Sequence, residues 1–194
     1  MERDKIFINC PFDEEYRPLL RAMLYVACFY KLTPLISTSR DSKKNRLEDI
    51  IKMMKKAKYS IHDLSRMEAR SSGDIYRMNM PFELGLNYGL GVEDKVFLIF
   101  EGEQYKVKKA LSDIDGWDIK CHKNDPEIVV REFRKWFVEN NPTIDDSLKL
   151  SSAELWKKYN YFNGFYYDKK HLKPEEVSNS EYIEYINEFL SQDY

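Results

Sequence analysis

Short apolar runs alternate with longer amphipathic stretches along the first 140 or so residues of this chain. Lys5 to Cys10, rich in Ile and Phe, reads as a buried strand. Pro11-Phe12-Asp13 breaks it. Tyr16, Leu19, Leu20, Met23, Leu24 and Ala27 then recur at helical spacing and predict a helix from about Glu14 to Tyr30. Thr33 to Thr38 predicts a second strand, and Ser39 to Asn45 a polar loop. Leu47, Ile50, Ile51 and Met54 mark a second helix, and Lys58 to Leu64 a third strand. A polar loop runs on to Met78. Pro81 suits the first turn of a short helix, because its missing N–H would be unpaired there anyway. Lys95 to Phe100 is the fourth strand. Gln104 to Ser112 predicts a helix, Asp118 to Cys121 a strand, and Pro126 to Glu139 a helix with Val129, Phe133, Trp136 and Phe137 inward.

Strand and helix thus alternate five times. The pattern predicts an α/β fold, a flavodoxin-like three-layer sandwich on a five-stranded parallel sheet of order 2-1-3-4-5. Its ligand crevice would lie at the carboxyl ends of strands one and three. Beyond Asn141-Pro142-Thr143 the character changes. Leu155, Trp156, Tyr159 and Phe162 predict a helix, followed by the aromatic cluster Phe165-Tyr166-Tyr167. Ser178 and Glu181 form a capping box ahead of Tyr182, Ile183, Ile186, Phe189 and Leu190. The expected organisation is an α/β domain over 1–141 with a two-helix extension over 142–194. The extension is too small for its own core, so it should pack on the main domain or on a second subunit.

Composition narrows the function. With 194 residues and a net charge of −2, the chain lacks the basic excess of a nucleic-acid protein. The three cysteines and three histidines show no metal spacing, and scattered thiols fit a reducing cytosol. No signal peptide or membrane-length apolar run is apparent, so a cytoplasmic protein is expected, with no membrane partner.

The segment from Asn79 to Leu90 holds the most specific chemistry. Phe82, Gly85, Leu86, Gly89 and Leu90 share one face, whose glycines would let it lie close against a sheet. Asn79, Glu83 and Asn87, four apart, form a polar stripe on another face. A carboxylate near a helix start is favourable to the helix dipole, and that alone accounts for a glutamate there. Helix-start N–H groups would also keep Glu83 ionised, able to attack an anomeric carbon or stabilise an oxocarbenium-like transition state. Asp63 is either a turn residue or, at a carboxyl strand end, a partner for ribose hydroxyls. His62 should point to the opposite face and be structural. Asp13 reads first as an N-cap, while Cys10, Pro11, Phe12 and Asp13 together form a loop that could bring backbone N–H groups to a phosphate. Arg40, Lys43, Lys44 and Arg46 make either a solvated loop or a phosphate contact. Arg66, Arg70 and Arg77, on the loop leading to Glu83, are better placed for that contact. Ser65, Arg66, Arg77, Asn79 and Asn87 complete the ligand-binding candidates.

The strand-one stretch Phe7–Asp13 (FINCPFD), the strand-three stretch Ile61–Ser65 (IHDLS) and the helix Met80–Gly91 (MPFELGLNYGLG) before Lys95–Phe100 (KVFLIF) resemble the nucleoside 2-deoxyribosyltransferase superfamily. They are also similar to its cousin, the Toll/interleukin-1 receptor-like (TIR) nucleotide hydrolases of bacteria. The resemblance spans about Lys5 to Phe100 and implies that Glu83 is the nucleophile and Asp63 a sugar-binding aspartate. The family's second aspartate has no counterpart: Arg77 and Met78 stand in that region, Met80-Pro81 replace a Gly-Thr pair, and Asp74 is the nearest acid. The implied activity is an N-glycosidase or ribosyl transfer on a nucleotide or NAD, in a bacterial defence or nucleotide-signalling setting. The alternative is a nucleotide sensor that uses the same cleft without turnover. Neither reading requires a cofactor or a metal. The expected partners are a nucleotide-like small molecule, a second copy of the chain and a protein docked on the C-terminal helices.

Overall fold

A computed structural model of the chain describes residues 4–36, 45–67, 78–91, 95–171 and 176–192. Its strands are β1 (Lys5–Asn9), β2 (Thr33–Leu35), β3 (Tyr59–Asp63), β4 (Val96–Glu101) and β5 (Ile119–Cys121). Its α-helices are α1 (Arg17–Phe29), α2 (Arg46–Lys56), α3 (Asn79–Gly89), α4 (Lys106–Ala110), α5 (Pro126–Asn140), α6 (Ser152–Lys170) and α7 (Asn179–Leu190). All strand pairs are parallel and the order is 2-1-3-4-5, as the alternation predicts. Pro34 lies within β2, where an edge strand tolerates a residue that cannot donate to the ladder. Among the described residues, no helix is long and apolar enough to cross a membrane. None of the three cysteines forms a disulfide.

The chain divides into two compact units that interleave along the sequence. The first comprises residues 1–12 and 33–124, and the second 13–32 and 125–194. The division therefore does not fall at residue 141. The tail helices α6 and α7 share a unit with α1 and α5.

In the first unit, Phe7, Leu35, Ile50, Met54 and Leu86 form one cluster, and Leu64, Met80, Leu84, Ile99 and Val107 another. The Asn45 side chain caps α2 by accepting from Leu47 N–H at 3.2 Å, which satisfies a donor the helix cannot. α3 packs on β1 and β3. In the second unit, every residue of α1 from Leu19 to Cys28 is buried, the pattern of a helix covered on all sides. Rings fill the space between its helices. Tyr25 and Phe162 stack with centroids 5.5 Å apart, and Phe162 meets Tyr182 edge-on at 5.5 Å. Both halves of the predicted capping box form: Ser178 N–H donates to Glu181 Oε2 at 3.0 Å and Glu181 N–H to Ser178 Oγ at 3.2 Å.

Candidate functional site

α3 turns a different face inward from the one its apolar residues predict. Met80, Glu83, Leu84 and Asn87 are buried, whereas Phe82 is 56 % exposed. Gly85 and Gly89 are exposed, and a Cβ built on either meets nothing within 4 Å. Close glycine packing is thus overturned, because polar groups on the sheet draw in the polar stripe instead. Asn87 Nδ2 donates to Ser60 Oγ at 2.8 Å and lies 2.9 Å from His62 Nε2. Lys95 Nζ donates to Asn87 Oδ1 and to the Met54 carbonyl, both at 2.7 Å. One end of the helix is held by Asn9, whose Nδ2 donates to the Met80 carbonyl and sits 3.0 Å from His62 Nδ1. Asn87 is therefore a buried structural link between helix and sheet, while Asn79 is exposed.

Both nitrogens of the His62 ring face amide groups, so an added proton would find no anion to meet. Burial, with help from the nearby Lys95 charge, lowers the His62 pKa to about 3. His62 is structural, as its position on the strand predicts. Burial also pushes the Lys95 ammonium below its ordinary value.

Glu83 lies one helical turn before Asn87 on the same buried face, close to the end of α3 that Asn9 holds at the carboxyl end of β1. It is not in the first turn of α3, and no helix-start N–H holds its carboxylate. Only 8 % of the residue is exposed. Burial raises its pKa above the usual carboxylate value, and the positive charge of Arg46 at the start of α2 opposes that rise. Among the described residues, three carboxylates are buried: Asp63, Glu83 and Glu101. Glu101 accepts from Tyr105 N–H at 2.8 Å and from Val107 N–H at 3.1 Å. Asp63 accepts from Ser65 N–H at 2.8 Å. No described hydrogen-bond donor meets Glu83.

Asp63 does not share a side of the sheet with Glu83. His62 faces α3 through Asn87, so the next residue of the strand projects from the other face. Asp63 is fully buried, and its Oδ2 lies 2.9 Å from His122 Nε2. His122 Nδ1 accepts from Asn124 N–H at 2.9 Å. Lys123 and Asn124 both take positive φ (53° and 57°) to form the turn that presents this N–H. The role given to Asp63 changes with this geometry. It is an internal strut of the β3–β5 end, and nothing in the sequence pattern signals that His122, just after β5, would meet it.

The remaining candidates scatter. Cys10 and Pro11 are buried after β1, and Phe12 is 45 % exposed at that strand's loop. Asp13 is an N-cap, accepting from Tyr16 N–H at 3.1 Å. Ser65 and Arg66 are half-buried in the turn after β3. Arg77 lies outside the described residues, as do Arg40, Lys43, Lys44, Arg70 and Asp74. Arg46, the described residue of that set, has a charge that reaches Glu83. No cluster of His, Cys, Asp and Glu able to hold a metal ion occurs among the described residues. No protein-family model matches this chain, and no curated protein matches its sequence.

Proposed function

We propose that this protein cleaves or transfers an N-glycosidic bond of a nucleotide or of NAD, with Glu83 as the attacking carboxylate. A single observation carries the reading: Glu83 is the buried carboxylate that no described donor meets, on the helix whose start Asn9 holds at the carboxyl end of β1. Structural carboxylates in this fold are tied to backbone N–H groups, as Asp63 and Glu101 are. A buried acid that no described donor meets is a candidate for chemistry.

The chemistry has a defined form. A Glu83 oxygen bonds to the anomeric carbon as the glycosidic C–N bond breaks, and the bonding pair leaves with the base nitrogen. Water or an acceptor hydroxyl then displaces the carboxylate, giving up its proton to solvent. Arg46 favours the ionised state that attack requires. His62 cannot supply a proton to the departing base, and Asp63 lies on the other face. A leaving group that departs without protonation fits these residues best. A pyridinium N-glycoside such as that of NAD qualifies, since its base leaves neutral. Phe12, exposed beside β1, offers a ring face for the base.

Incubation of the purified protein with NAD, nucleotides and nucleosides, followed by chromatography for released base, tests the reading. Glu83→Gln keeps the size and removes the charge, so release should fall by about 100-fold or more. Because attack needs the carboxylate ionised, the rate should also fall as pH drops through a pKa above that of an ordinary glutamate. Base release that survives Glu83→Gln unchanged defeats the proposal. The removal of Asp63 from the Glu83 side favours one second reading, in which the same site binds a nucleotide without turnover. A nucleotide that raises Tm and is recovered intact would select it.

A further inference from the structure

The second unit contains a cleft of about 640 Å³ between one face of α1 with its leading turn and one face of α6. Arg17 and Arg21, one helical turn apart, line it from α1. Tyr159, Asn163 and Tyr167, spaced four and four, line it from α6. We propose that this cleft is a binding site for a small organic anion that carries a flat ring beside a phosphate or carboxylate, the chemistry of a nucleoside monophosphate. Its volume is in the range of sites that enclose such molecules.

The walls are built in depth. Arg21 is only 7 % exposed, and its guanidinium carbon sits 4.4 Å above the Tyr182 ring. Stacking of that kind fixes the plane of the guanidinium while keeping its charge. Tyr182 also donates from its hydroxyl to Asn163 Oδ1 at 2.9 Å, which orients the amide. The cation, the ring beneath it and the amide are therefore preset, and little side-chain freedom is lost when a ligand arrives. Arg17 adds a second guanidinium nearer solvent, its side chain 29 % exposed. Tyr167, 44 % exposed, presents a ring on the opposite wall for stacking.

One carboxylate competes for the anion's place. Glu14 lines the same cleft, 3.9 Å from Arg17, but its side chain is 86 % exposed. So exposed a pair is weak and readily displaced. The described lining thus holds two guanidinium groups against one solvated carboxylate, an excess of positive charge in a cleft walled by rings.

Calorimetric titration of the full chain with adenosine 5′-monophosphate, adenosine and inorganic phosphate tests the site. The monophosphate should bind more tightly than either fragment. Arg17→Ala should weaken it by about tenfold through loss of a charge-assisted contact, and Tyr167→Ala by about threefold through loss of stacking. Glu14→Ala should tighten it by about two- to threefold, because the competing carboxylate is gone. A gain of affinity cannot come from a damaged fold, so this variant guards the test. No binding at millimolar monophosphate, or binding indifferent to all three substitutions, overturns the proposal. Binding that Glu83→Gln abolishes while Arg17→Ala leaves it intact belongs to the sheet site and overturns it too. Inorganic phosphate bound as tightly as the monophosphate overturns the role given to the ring.

Discussion

Beneath α3 the first unit buries a chain of polar side chains, whereas the helices of the second unit bury rings. Asn9, His62, Asn87 and Ser60 form a linked hydrogen-bonding layer, with Lys95 closing one end. Tyr25, Phe162, Tyr182 and Phe189 form a nested aromatic cluster, with the Arg21 guanidinium over the Tyr182 ring. Polar layers are favourable only when each group has a partner, and they fix geometry more than they add stability. Aromatic layers stabilise through area and dispersion and tolerate small shifts. The contrast teaches where precision is placed. The directional layer supports the helix that carries Glu83, and the ring layer supplies bulk cohesion and the walls of a cleft.

The largest effect should come from breaking the ring layer. Phe162 is fully buried and meets Tyr25, Tyr182 and Phe189 at centroid distances of 5.5, 5.5 and 5.3 Å. Phe162→Ala should lower unfolding stability by about 3–5 kcal/mol, read from urea denaturation. Acid should strike the polar layer next. The unfolded chain protonates His62 near 6.5 and the folded chain only near 3, so protons favour the unfolded state between those values. Stability from this group is whole above pH 6.5 and is lost as pH falls toward 3, by up to about 1.4 kcal/mol per unit. Urea titrations at a series of pH values measure the slope, and it should flatten in His62→Gln.

Smaller effects sharpen the comparison from the side of function. Glu83 is buried without a described donor, so its charged form is costly to bury. Glu83→Gln should therefore stabilise the fold at neutral pH by about 1 kcal/mol while removing activity, the trade expected of a site residue. A variant that loses stability instead would mark Glu83 as structural. Gly85→Ala should have the smallest effect, a gain of about 0.5–1 kcal/mol, since an added Cβ meets nothing and helix propensity improves. A loss there would restore the close packing that the glycines suggest.

Much of the fold can be read from local pattern. The alternation of strands and helices predicts an order that the sheet adopts, and Ser178 with Glu181 predicts a cap that forms. Such features depend on neighbours within a few residues or on apolar runs that can only be buried. The orientation of α3 could not be read in that way. Its residues Phe82, Gly85 and Gly89 suggest one inner face, yet Ser60 and His62 on the sheet partner Asn87 and Asn9 partners the Met80 carbonyl, and Glu83, one turn before Asn87, is buried with them. The Asp63–His122 contact is equally silent in sequence, because it joins the ends of two strands separated by β4. The grouping of α1 and α5 with the tail helices has the same character.

By itself, then, the sequence determined the elements and their parallel order. Only the tertiary structure decided which buried carboxylates are satisfied, which histidine is locked neutral and which face of α3 is inside. The physical reason is that periodicity records how strongly a residue avoids water, a property of the residue alone. Whether a buried polar group is paired depends on what another segment places within about 3 Å of it, and that is a property of the folded chain.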